Sequence, residues 1–226
     1  MSRHALVTGA SSGIGRAIVE RLLQEGWQVS GLSRSAKGSE HPALRSIAVD
    51  LCDRTALANV LSELPPVDAF IHAAGMMQAA ELGALNEEIS QRLWYLHVLV
   101  AESIANALVD ILPADGRIIL IGSRTSRGAA GRSQYVSTKA AMTGMVRSWA
   151  AELAPRGITA NVVAPGATAT PMLSQPGRAS SPPKLPPIGR YIQPDEVAAL
   201  VSFLLSPAAA AITGQELVIC GGASLS

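Results

Sequence analysis

Cysteine is scarce in this chain, aromatic residues are few, and neither sign of charge prevails. Only Cys52 and Cys220 occur among 226 residues. They stand far apart and show no metal-ligand spacing, which argues against a zinc site or a disulfide scaffold. The expectation is two buried, reduced thiols and no metal. Lys and Arg number 18 against 17 Asp and Glu, a net charge of +1. That balance offers no basic stripe for nucleic acid and no patch for an anionic membrane. No apolar run approaches the roughly 18 residues of a membrane span. An apolar run starting at His4 leaves no room for a leader peptide, so a cytoplasmic protein is expected. What is plentiful is apolar content, at 48%, with 20 glycines and 14 prolines. That composition suits a compact globular chain, read here as one domain over residues 1–226.

Short apolar runs alternate with longer helical patterns along the whole chain. Strands are predicted at His4–Thr8, Gln28–Leu32, Arg45–Val49, Ala69–Ala73, Arg117–Ile121, Thr159–Ala164 and Glu216–Ile219. Helices are predicted at Gly13–Glu25, Arg54–Leu61, Glu88–Leu112, Gln134–Leu153 and Asp195–Leu205. Such alternation implies an α/β fold of the Rossmann type, a doubly wound, mostly parallel sheet of seven strands with helices on both faces. Ligands of such sheets sit beyond the carboxyl ends of the strands. The stretch 171–194 departs from the pattern. It holds Pro171, Pro176, Pro182, Pro183, Pro186, Pro187 and Pro194, with Gly177 and Gly189. Proline removes donors and breaks helices, so a long irregular loop is expected, read as a substrate lid.

Two local patterns carry chemistry. Directly after the first strand comes Thr8-Gly9-Ala10-Ser11-Ser12-Gly13-Ile14-Gly15, and Ile14, Ile18 and Leu22 then recur at helical spacing. A strand, a glycine turn and a helix start together offer backbone N–H groups to a diphosphate. The second pattern is Tyr135 and Lys139, four residues apart on a predicted helix and therefore on one face. A free phenol titrates near a pKa of about 10, and a neighbouring ammonium favours its ionised form. Such a pair brings tyrosine towards use as a general acid or base.

Taken in order, these motifs resemble the short-chain dehydrogenase/reductase family over essentially the whole chain, and among it the 3-ketoacyl-carrier-protein-reductase-like members. The segment Thr8–Gly15 matches the family's cofactor turn, implying cofactor contacts from Gly9, Ser11, Ser12, Gly13, Ile14 and Gly15. Asp50 and Leu51 match the acidic position after the third strand, which in the family contacts adenine. His72-Ala73-Ala74-Gly75 corresponds to the family's Asn-Asn-Ala-Gly element. Pro165, Gly166, Thr168 and Thr170 match the segment after the sixth strand that touches the nicotinamide end. Ile212–Gln215 and Gly221-Gly222 complete the C-terminal signature. Ser123 stands twelve residues before Tyr135, where the family places its catalytic serine. Ser126 is the alternative hydroxyl, deeper in the loop.

The resemblance implies an oxidoreductase that moves a hydride between a nicotinamide cofactor and a small-molecule carbonyl or alcohol, in the reductive direction. Tyr135 is expected to exchange the proton, Lys139 to tune it and hold the ribose, and Ser123 to steady the carbonyl oxygen. The family's fourth member is an Asn on the fourth helix. The best register places His97 there, or Leu96 if shifted by one. The other reading of His97 is an ordinary partly buried histidine. His72 and Ala73 in place of Asn are expected to remove polar support beside the adenosine.

Weaker features are Arg124, Arg127 and Arg132 near the site mouth, read as an anion-attracting set or a solvated loop. Met142, Met145 and Trp149 are read as packing residues. A dimer or tetramer is implied by the family. The rival functions are a catalytically silent dinucleotide-binding regulator and a carbon-skeleton enzyme such as an epimerase, which generally needs a larger C-terminal region.

Cofactor choice rests on the end of the second strand. A carboxylate there would hold both ribose hydroxyls of NAD and repel a 2′-phosphate. Ser33 occupies that position and Arg34 follows, with a guanidinium suited to phosphate. NADP(H) is therefore expected over NAD(H), which stays possible. The double change Ser33→Asp with Arg34→Leu is predicted to reverse the ratio of kcat/KM for the two cofactors. Unchanged discrimination would defeat this reading.

Overall fold

A computed structural model describes residues 2–35, 41–175 and 181–225. Seven strands form one sheet: β1 (His4–Thr8), β2 (Gln28–Ser33), β3 (Leu44–Ala48), β4 (Ala69–His72), β5 (Arg117–Ile121), β6 (Thr159–Pro165) and β7 (Glu216–Ile219). Their order is β3-β2-β1-β4-β5-β6-β7, and every pairing is parallel. The chain runs outward from β1 in one direction and restarts at β4 in the other. The crevice between β1 and β4 is thus the topological switch point, where the carboxyl ends leave room for a ligand.

Side-chain alternation decides which helix packs where. Along β5, Ile118 and Leu120 enter one core while Ile119 and Ile121 enter the other. β1 and β4 divide in the same way, with Leu6 and Phe70 on one face and Val7 and Ile71 on the opposite face. The first face is covered by α2 (Arg54–Ser62), α4 (Val100–Leu108) and α5 (Ser133–Leu153). Ile104 and Leu108 of α4 and Met142 and Val146 of α5 fill it. The second is covered by α1 (Gly13–Gln24) and α6 (Pro194–Leu205), through Ile18, Leu22, Val197 and Val201. Strands buried on both faces read as nearly continuous apolar runs, which is why they stand out in the sequence.

One expected helix does not form as a single rod. The span Glu88–Leu112 resolves into α3 (Glu87–Trp94), a π-helical turn at Tyr95–Leu99, and α4. The Asn86 side chain caps α3 by accepting from the Ile89 N–H at 3.0 Å. A π turn inserts one residue into the helical repeat, and such turns cluster at functional sites. Here it turns His97 fully into the interior. After α4 the chain turns at 109–112 rather than continuing as helix, with Pro113 beyond.

The proline-rich segment begins with a 3₁₀ turn at Pro171–Ser174. Pro176 and Gly177 lie outside the described residues. Further on, Thr168 bridges to Ile192 in parallel fashion, and the Ile188 N–H donates to the Gly221 carbonyl at 3.2 Å.

The turn after β1 depends on glycine. Gly9 has φ of +68°, and an added Cβ would lie 2.8 Å from the Ala74 backbone. A side chain at Gly15 would overlap the Gly9 carbonyl. Gly9→Ala is therefore predicted to lower the melting temperature and weaken dinucleotide binding at least about tenfold, read by calorimetry and by cofactor titration.

Candidate active site

The first helix starts without a side-chain cap. Ser12 occupies the N-cap position in extended backbone and makes no capping bond. Asp53 and Asn86, by contrast, cap α2 and α3. The leading N–H groups of α1 therefore point towards the cleft with no side-chain acceptor at the cap, as an anion-binding turn requires. The cleft itself measures about 960 Å³, at the upper end of ordinary ligand clefts. It lies over the carboxyl ends of the strands, lined by the Gly9–Gly15 turn with the Thr170 side chain close against Gly13.

Every predicted site residue lines this one cleft. Ser11, Ser12, Gly13, Ile14, Ser33, Arg34, Asp50 and Leu51 form one end. Ala73, Ala74 and Gly75 form its floor, and Pro165, Gly166, Thr168 and Thr170 its far wall. Ser123, Tyr135, Lys139 and His97 meet at the other end. A narrow backbone floor, an uncapped helix start and an exposed guanidinium at Arg34 fit a phosphate-bearing dinucleotide.

Lys139 is buried, and its Nζ donates to the Ile121 carbonyl at 2.8 Å. No carboxylate makes a salt bridge with it among the described residues. Burial alone lowers its pKa to about 7. Its Nζ lies 5.8 Å from the centre of the Tyr135 ring, which is half-buried. Ser123 follows β5 by two residues, in extended backbone. Its Oγ shares a 2.8 Å hydrogen bond with Thr125 Oγ1 and accepts from the Thr125 N–H at 3.2 Å. Ser126 is committed elsewhere, donating to Glu216 at 2.6 Å, which favours Ser123 between the two hydroxyls.

Two buried histidines stand close to the site, His97 in the cleft lining and His72 behind it, and their partners decide their tautomers. The Leu96 carbonyl can only accept, so His72 donates to it from Nε2 at 3.1 Å. His72 Nδ1 then accepts from Thr8 Oγ1 at 2.9 Å, and Thr8 Oγ1 accepts from the Ala74 N–H at 3.1 Å. His97 takes the opposite form. The Met76 N–H donates to its Nε2 at 3.1 Å, so its proton sits on Nδ1 and goes to Thr138 Oγ1 at 2.8 Å. Burial first, and the Lys139 charge second, hold both rings neutral. The His72 pKa falls to about 3, and that of His97 lies well below its ordinary value.

A family model described as enoyl-(acyl carrier protein) reductase matches residues 9–224. The 3-oxoacyl-[acyl-carrier-protein] reductase FabG of Vibrio cholerae is 34% identical over 234 residues, covering 96% of this chain and 96% of that protein. This chain belongs to the short-chain dehydrogenase/reductase family. A short-chain dehydrogenase family protein from Francisella tularensis superposes with a TM-score of 0.91 at 27% identity, over 100% of both chains. A blue fluorescent protein from a metagenomic library, solved in complex with NADPH, superposes at 0.85 with 32% identity over 97% of each chain. The chain is accordingly an NAD(P)-dependent oxidoreductase of the CH–OH/C=O class.

Within that family frame, several expectations need correction. His72 turns away from the cleft, both its ring nitrogens being engaged by Thr8 and the Leu96 carbonyl. His97 is fully rather than partly buried, because the π turn swings it inward. Cys52 is exposed, since the turn after β3 carries it out of the core, while Cys220 is buried as expected. Of the three arginines, Arg124 and Arg132 line the cleft, whereas Arg127 points away towards Glu216 at 4.0 Å. Met142 belongs to the core, with Met145 and Trp149 packed against it, as the helical spacing predicts. The contributions of Thr8 and Thr138 were missed. Thr8 opens the glycine motif and Thr138 adjoins Lys139, which was the available signal.

The neutral histidines make stability depend on pH. Unfolded, each titrates near 6.5; folded, each resists protonation to lower pH. Below 6.5 the unfolded state therefore binds more protons, and stability falls as pH falls. For His72 the window runs from 6.5 down to about 3. Each ring contributes a slope approaching about 1 kcal/mol per pH unit there. Urea unfolding between pH 7 and 5 should show the loss, and His72→Asn should flatten it.

Proposed function

We propose that this enzyme reduces a small-molecule carbonyl compound with NADPH, using Tyr135 as the general acid. The observation that carries the reading is the convergence of Ser123, Tyr135 and buried Lys139 on one end of the dinucleotide-shaped cleft. Ser123 donates a hydrogen bond to the substrate oxygen and steadies the charge that develops on it. Tyr135 gives that oxygen its proton and is left as phenolate. Lys139, when charged, stabilises the phenolate across a site from which its own burial has excluded most water. A nicotinamide held with its ribose at Lys139 would, when bound, supply the hydride for the carbonyl carbon. In the oxidative direction the same groups take the proton back.

The residues offered to the cofactor are Gly9, Ser11–Gly15, Asp50, Leu51, Ala73–Gly75, Pro165, Gly166, Thr168 and Thr170, with Lys139 at the nicotinamide ribose. Ser33 and Arg34 support NADP(H) over NAD(H), since no carboxylate stands at that position to repel a 2′-phosphate. The similarity to a protein solved with NADPH supports the same choice. The segment 171–194 serves as the substrate loop of a single catalytic domain over residues 1–226. Met172, Leu173 and Ser181–Lys184 face the cleft from it. We place the enzyme in the cytoplasm as a dimer or tetramer. No helix among the described residues is long and apolar enough to cross a membrane. A silent regulator is disfavoured because serine, tyrosine and lysine are all retained in one cleft.

Oxidation of NADPH by the purified enzyme against a panel of ketones, ketoacyl thioesters and quinones tests the reaction. Tyr135→Phe keeps the ring and loses the hydroxyl. NADPH affinity should stay within about twofold, while kcat falls by about 10²–10⁴. Near-normal turnover in that variant would show that another acid is used.

A further inference from the structure

We propose that His97 is a positioning residue for the Tyr135–Lys139 pair, acting through the Thr138 hydroxyl. The inference rests on the proposed reaction and adds to it the element that holds the proton donor in place. His97 sits in the π turn, fully buried, its ring centre 5.7 Å from that of Tyr135 in an edge-to-face arrangement at 84°. Its Nδ1–H donates to Thr138 Oγ1 at 2.8 Å. Thr138 Oγ1, with that lone pair used, donates its own hydrogen to the Tyr135 carbonyl at 2.9 Å. The chain of donors thus runs from the π turn into the first turn of α5, one residue before Lys139. On its other side, His97 Nε2 receives the Met76 N–H at 3.1 Å. One ring therefore joins the loop after β4 to the catalytic helix.

Close packing on the loop side sharpens the constraint. A Cβ at Gly75 would lie 3.2 Å from His97 Nε2 and 3.8 Å from Lys139 Nζ. The loop backbone is therefore packed tightly against the His97 ring, with Lys139 Nζ beyond it, and a shift of His97 would carry the loop with it. His72 secures the same π turn from the sheet side by donating to the Leu96 carbonyl, the residue immediately before. Protonation of His97 would place an N–H against the Met76 N–H. Its geometry thus suits a fixed neutral spacer and not a group that exchanges protons during turnover. The role differs from the proton relay considered for this position. Histidine carries an acceptor and a donor on opposite sides of a rigid ring, and both are engaged.

Three variants of the full chain separate positioning from mere structural support. Thr138→Val removes the hydroxyl at nearly constant volume. Thr138→Ser keeps it. His97→Gln places an amide oxygen near the Nε2 position, retaining an acceptor for Met76 while removing the donor to Thr138. Thr138→Val and His97→Gln should each lower kcat about tenfold, with NADPH affinity held within about twofold. Their combination should be no worse than either alone, because both break one link. Thr138→Ser should restore turnover.

An independent readout is the Tyr135 phenol, titrated by ultraviolet difference spectroscopy against Tyr135→Phe. Its midpoint should rise by about 1 pH unit in Thr138→Val, as the phenol loses its alignment with the ammonium. A lower melting temperature with unchanged kcat and unchanged midpoint would overturn the proposal. So would additive losses in the double variant. If the wild-type protein reduces no carbonyl in the panel, the proposed reaction fails. The phenol midpoint then still decides whether His97 positions Tyr135.

Discussion

The burial of the Lys139 ammonium, with no carboxylate among the described residues paired to it, is the constraint around which the site is organised. A buried cation is costly unless its hydrogens find acceptors. Lys139 meets that need with the Ile121 carbonyl at the end of β5. A nearby acid would have stabilised the ammonium more cheaply, but would also have repelled a phenolate. The fold uses a neutral carbonyl instead, and the depressed Lys139 pKa is the consequence. Nearby titratable rings must then avoid positive charge, which both His72 and His97 do.

That electrostatic demand explains why the histidines are so fully bonded. A neutral imidazole offers one donor and one acceptor, and each ring spends both on neighbours from different elements. His72 joins β4 to β1 and to the π turn. His97 joins the π turn to α5 and to the loop after β4. The walls of the cleft are thereby tied across the switch point, whose opening the parallel topology creates between β1 and β4.

Much of the fold was legible because doubly covered strands carry unbroken apolar runs, and the helices between them carry a longer period. All seven strands and the start of α1 follow from those patterns to within a residue or two. The broken fourth helix did not. A π turn adds one residue to a helical repeat, and that leaves hardly a trace in spacing when its immediate neighbours, Leu93, Trp94, Val100 and Ala101, are apolar. The Tyr135–Lys139 pair and the glycine turn were legible for a different reason. Their chemistry is local, needing only one helix face or one tight turn. The tautomers of His72 and His97 were not, because their partners come from residues between 20 and 70 positions away.

Family, sheet class and the proposed reacting groups were thus written in short, contiguous stretches, where backbone geometry alone relates one residue to the next. Only the packed structure could decide that Ser126 serves Glu216 rather than the cleft, and that Arg127 faces away while Arg124 faces in. It also decided that a histidine at the expected Asn position holds Thr138 and the Gly75–Met76 loop together. Those outcomes depend on contacts closed across the sheet. Such contacts are set by the depth at which each element packs, a quantity that no local spacing carries.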